Sequence, residues 1–117
     1  MKVIDAHTHI QFAAFEEDRD EVIKRTLGAG VGMVNVGTEK NTSKKAVELA
    51  EKFDGIWATV GLHPIHTEKS YHDPDELGGG KGFESRGEEF DRDFYLQLAR
   101  RPKVVAIGEC GLDYYRL

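Results

Sequence analysis

At 117 residues, with 39% hydrophobic and 32% charged side chains, the chain has the composition of one globular domain with a modest core and not of a disordered polymer. The net charge of −5 argues against a broad basic surface for nucleic acid, while leaving open a nucleic-acid substrate held at a small metal site. No apolar run is long enough for a bilayer, the N-terminus lacks a signal-peptide pattern, and the single cysteine, Cys110, excludes an internal disulfide framework and fits a reducing, cytoplasmic setting.

The first ten residues, MKVIDAHTHI, read as a strand that leaves a core and reaches a solvent-facing rim. Strict alternation puts Val3, Asp5, His7 and His9 on one face, with Ile4, Ala6, Thr8 and Ile10 on the other. His7 and His9 are then neighbouring imidazoles at a strand end, the start of a metal site with Asp5 as an orienting partner. A lone His-x-His is also met as a plain surface pair.

Acidic residues Glu16 to Asp18 lead into a helix through Glu21–Leu27, stopped by Gly28 or Gly30. Val31–Val36 reads as a second strand. A second helix runs from about Thr42 to Phe53, with Ala46, Leu49, Ala50 and Phe53 on one stripe. Ile56–Val60 is a third strand. A break from Leu62 to about Arg86 follows, too long for a simple turn and rich in glycine. Phe90, Phe94 and Leu98 mark a third helix, and Val104–Gly108 a fourth strand. The order βαβαβαβ, with near-continuous apolar strands, predicts a parallel α/β sheet with helical crossovers, buried on both faces.

The residues that look chemical all follow strands. His7 and His9 follow the first, Asn35 and Thr38 the second, His63 and His66 the third, Glu109 and Asp113 the fourth. A parallel α/β barrel builds its active site at that one end. His7, His9 and Glu109 brought together offer nitrogen and oxygen ligands for Zn, Mn or a similar divalent ion, and a carboxylate can bridge two ions. Glu109 reads equally as a solvated rim carboxylate. His63, held extended by Pro64, either contacts substrate or caps a turn. His66 and His72 read as surface residues, Tyr114 and Tyr115 as packing residues, and Cys110 as an inert packed thiol.

Three segments together, Asp5–His9, Gly61–Pro64 and Gly108–Arg116, resemble the TatD family of metal-dependent deoxyribonucleases, which are amidohydrolase-like TIM barrels. The resemblance implies a hydrolase that cleaves phosphodiester bonds in DNA as an exonuclease. It implies one or two divalent ions (Zn, Mn or Mg), with His7 and His9 as first ligands and Glu109 as the bridging and catalytic carboxylate. It also implies that His63 lines the site in a catalytic role and that Asp113 lies near it.

A full barrel takes about 250 residues and eight strands. Four strands make residues 1–117 a single domain equivalent to the N-terminal half of such a barrel, about four βα units without the last helix. Two edges would then lie open, to be closed by a complementary C-terminal half or by a second copy in a homodimer. Three functions follow: a DNA-cleaving metalloenzyme once the barrel is complete, a catalytically silent metal-binding or self-assembling module, or the same fold cleaving an ester or amide.

Overall fold

The computed structural model describes residues 1–67, 71–72, 83–84 and 87–115. Strand β1 (Val3–Thr8) is followed by helix α1 (Arg19–Gly28), β2 (Val31–Val36), α2 (Lys40–Lys52) and β3 (Ile56–Val60). Two-residue strands β4 (Tyr71–His72) and β5 (Phe83–Glu84) form an antiparallel pair, and then come α3 (Arg92–Ala99) and β6 (Val104–Ile107). The large sheet has the order β1-β2-β3-β6 and every neighbouring pair is parallel. This is the predicted α/β alternation, the architecture of a partial TIM barrel. No helix among the described residues is long and apolar enough to cross a membrane.

Local chemistry sets the helix limits. Asp20 and Glu21 lie in the first turn of α1 and Arg25 in its last, each matched to the nearer end of the helix dipole. The helix ends at Gly28. Gly30, at φ +83°, then turns the chain into β2 with its N–H on the Leu27 carbonyl. Helix α2 starts two residues earlier than its apolar stripe suggested, because Glu39 and Thr42 form a reciprocal capping box.

The core lies between the middle of the sheet and the helices. Ile56, Ala58 and Val60 of β3 are fully buried, against Ala46, Val47 and Ala50 of α2. Burial on both faces holds for the central strands but not for the outer ones. Along β1, Val3 to His7 are exposed, and Val105 to Ile107 of β6 are exposed as well. No element among the described residues covers those two edges. Phe90 also departs from expectation: it precedes α3, is largely exposed, and stacks on Tyr95, the residue that α3 actually buries.

Candidate metal centre

β1 is not a regular strand. Asp5 pairs with Met33 but Thr8 pairs with Asn35, so an extra residue is taken up between them. Asp5 and Thr8 therefore share the face of Met33 and Asn35, and His7 and His9 stand on the other. Asp5 is not an orienting partner for either ring. Its carboxylate accepts from the His7 backbone N–H at 3.2 Å. Thr8 and Asn35 are tied together beneath the rim, the Thr8 hydroxyl donating to Asn35 Oδ1 at 2.8 Å. Asn35 is fully buried.

His7 and His9 converge. Their Nε2 atoms are 3.2 Å apart, and the rings meet edge to face. Glu109 reaches them from just beyond β6, with Oε2 3.3 Å from His7 Nε2 and 3.5 Å from His9 Nε2. The close approach depends on Gly61, at the end of β3. A Cβ there would stand 2.7 Å from the Glu109 carbonyl oxygen and 2.8 Å from Gly108 C. Backbone bonds complete the seam: Glu109 N–H donates to Gly37 O at 2.8 Å and Gly108 N–H to Val60 O at 2.9 Å.

The donor set suits a divalent cation. Zinc with ligands at about 2.0–2.1 Å in tetrahedral array separates its donor atoms by about 3.4 Å. The three separations here, 3.2, 3.3 and 3.5 Å, bracket that value. The His9 tautomer fits too. A carbonyl only accepts, so the 2.9 Å contact of His9 Nδ1 with Val36 O places the proton on Nδ1 and the lone pair on Nε2. Burial lowers the His9 pKa despite the opposing pull of the Val36 carbonyl and Glu109, which keeps the ring neutral.

His63 is the fourth group at this end of the sheet, with Nε2 3.5 Å from Glu109 Oε1. Its Nδ1 accepts from the Ile65 N–H at 3.1 Å, so the neutral ring carries its proton on Nε2, facing the site. Its backbone N–H donates to Thr38 O at 2.8 Å, so Thr38 shapes the rim through its carbonyl.

Several neighbours differ from the sequence-based reading. His66 is buried, 6.4 Å from His63 between ring centroids, and not a surface residue. Cys110 is exposed and not packed. Tyr114 and Tyr115 are among the most exposed large side chains. Asp113 accepts from the Tyr115 N–H at 2.9 Å. The side chain of His72 and the glycine-rich stretch 78–82 lie outside the described residues. Composition and spacing gave no sign of Phe12, which stacks on His9 at 4.4 Å, or of the Val36 carbonyl.

A parallel α/β sheet with two histidines and a glutamate converging at the C-terminal ends of its strands has the arrangement of the α/β barrel class, which places its active sites at that end. Comparison with known proteins narrows the class. The sequence model of the family described as TatD related DNase matches residues 4–117, and the chain belongs to that family. It is 37% identical over 115 residues to the 3'-5' ssDNA/RNA exonuclease TatD of Citrobacter koseri. The corresponding values are 36% for the protein of the same name from Salmonella typhimurium and 33% for that from Escherichia coli K12. Each match covers 97% of this chain and 38% of the relative, so the chain spans well under half the length of these proteins.

Proposed function

We propose that this chain forms the His7–His9–Glu109 part of a divalent-metal nuclease that hydrolyses phosphodiester bonds in DNA. The observation that carries the reading is the 3.2–3.5 Å triangle of donor atoms drawn from two strands. Zn, Mn or Mg is the ion proposed, one or two per complete site. Bound there, the ion supplies Lewis-acid polarisation of a phosphoryl oxygen and lowers the pKa of a coordinated water. His7 and His9 would hold it through their Nε2 atoms and Glu109 through its carboxylate. His63, its proton fixed on Nε2, donates a hydrogen bond to the scissile phosphate. The names of the relatives extend the substrate to single-stranded DNA or RNA attacked from the 3' end. The single exposed cysteine suits a cytoplasmic location.

The test is degradation of end-labelled single-stranded DNA by metal-loaded protein, with EDTA and His9→Ala as controls. EDTA-sensitive trimming that disappears in His9→Ala supports the reading. Folded, metal-loaded protein that leaves DNA intact removes it for this chain.

A second reading is supported by the open edges. Val3 and Ile4 on β1 are 59% and 51% exposed, and Val105 and Ile107 on β6 are 57% and 61% exposed. Parallel edges of this kind invite a homodimer, with β6 of one copy beside β1 of the other, or a complementary C-terminal half. In that reading the chain is a self-assembling, metal-binding module without activity of its own. Native mass spectrometry tests the assembly, because it reports oligomeric mass and bound metal together, and the DNA assay on the assembled, metal-loaded protein separates the two readings.

A further inference from the structure

We infer that Arg19 is a positioning residue for the metal centre, acting through the loop that follows β1. The inference rests on the reading of His7, His9 and Glu109 as ligands. Arg19 opens α1 and is half-buried. Its guanidinium grips three consecutive backbone carbonyls: Nε donates to Ile10 O at 2.8 Å, and Nη2 to Phe12 O at 2.8 Å and Gln11 O at 3.2 Å. A planar fork of donors suits this task, and the compact lysine ammonium does not reproduce it.

The gripped residues are the ones that set His9. The Phe12 ring lies nearly parallel to the imidazole, 4.4 Å away and inclined by 24°, and so covers one of its faces. Gln11, almost fully buried, donates from Nε2 to Val36 O at 2.9 Å, the same carbonyl that accepts from His9 Nδ1. Gln11 also reaches Thr42 O at 3.3 Å and so fastens the loop to α2. The Phe12 N–H closes the turn on His9 O at 2.9 Å. Ring plane, tautomer and backbone of His9 all depend on residues 11 and 12, and Arg19 holds both.

The test is made on the full chain without metal, by nitrogen-15 NMR of the histidine rings, and then by titration with zinc alone. Wild-type His9 is expected to show one tautomer, protonated on Nδ1. In Arg19→Met the His9 signals move toward tautomer averaging while those of His63 stay in place, and zinc affinity falls about tenfold, as for other partners of a ligating histidine. Arg19→Lys recovers little of this. An Arg19→Met protein with the wild-type His9 pattern and zinc affinity overturns the inference. If Arg19→Met does not fold, Arg19→Gln, whose single amide cannot span the three carbonyls, is measured instead. It should shift the His9 signals in the same direction, and unchanged signals overturn the inference equally. A wild-type chain that binds no zinc defeats the metal reading instead, while the His9 ring signals of the variants still decide the role of Arg19.

Discussion

His9 donates its Nδ1–H to the carbonyl of Val36 at 2.9 Å, across the seam between β1 and β2. That bond leaves Nε2 as the nitrogen through which His9 would bind a metal. It also ties the proposed metal centre to the pairing of two strands, so metal binding there would be linked to sheet integrity. Zinc should therefore raise the melting temperature of the chain. At a free concentration of 100 Kd the gain is about 2.7 kcal/mol. EDTA should return the melting temperature to its starting value, and His9→Ala should abolish the zinc response. A zinc-induced rise of equal size in His9→Ala would place the bound ion elsewhere.

The same bond has a pH signature. Burial lowers the His9 pKa below the ordinary value of 6.5. As pH falls through 6.5 the unfolded chain takes up a proton that the folded chain still resists, so the unfolded state binds more protons. Stability from this residue is therefore complete above 6.5 and declines as pH drops toward the folded-state pKa. Melting curves recorded without metal on either side of 6.5 should show the loss. His9→Asn, which keeps an N–H for Val36 but gains no proton, should lose less on acidification. An identical acid loss in this variant would assign the effect to other groups.

Much of this was legible from residue types. The apolar runs located the strands, and position at or just past a strand end singled out His7, His9, His63 and Glu109. What escaped had physical causes. Alternation assumes a regular strand, and the irregularity between Asp5 and Thr8 moved Asp5 to the other face. Burial on both faces needs neighbours on both sides, and β1 and β6 have a neighbour on one side each. His66 looks solvated by composition, yet the turn Pro64–His66 buries it. The tie from Glu109 N–H to Gly37 O spans 72 positions of sequence, beyond the reach of any local pattern.

Gly61 provides a test of how tightly the seam must close. Alanine there would put its Cβ 2.7–2.9 Å from Glu109 O, Gly108 C and Gly108 O, all of them backbone atoms that cannot swing aside. Overpacking of this kind is expected to cost about 1–3 kcal/mol. Because the displaced backbone carries Glu109, zinc affinity should fall as well. Gly28→Ala is the control. Nothing lies within 4 Å of a Cβ at that position, the last of α1, so stability should hold or rise slightly. Equal effects of the two substitutions on zinc binding would sever Gly61 from the site.

Glu88 is expected to join three elements. One carboxylate oxygen accepts from the Lys40 N–H at the start of α2 at 3.0 Å, and the other accepts from the Tyr95 hydroxyl of α3. The Glu88 N–H donates to His66 O at 2.7 Å, beside the rim that presents His63. Burial, reinforced by the bond to Glu88, raises the Tyr95 pKa well above its ordinary 10.0. Glu88→Ala leaves a buried hydroxyl without its acceptor and should destabilise the chain by about 1–3 kcal/mol. Glu88→Gln keeps one acceptor, its carbonyl oxygen, for the Lys40 N–H and can turn its amide N–H toward the Tyr95 oxygen, so it should lose less. Spectroscopic titration of the tyrosines should show Tyr95 ionising at lower pH in Glu88→Ala than in wild type. In a double-mutant cycle, Glu88→Ala and Tyr95→Phe should together lose less than the sum of their separate losses, since each removes the same bond. Strict additivity would mean that Glu88 and Tyr95 act independently.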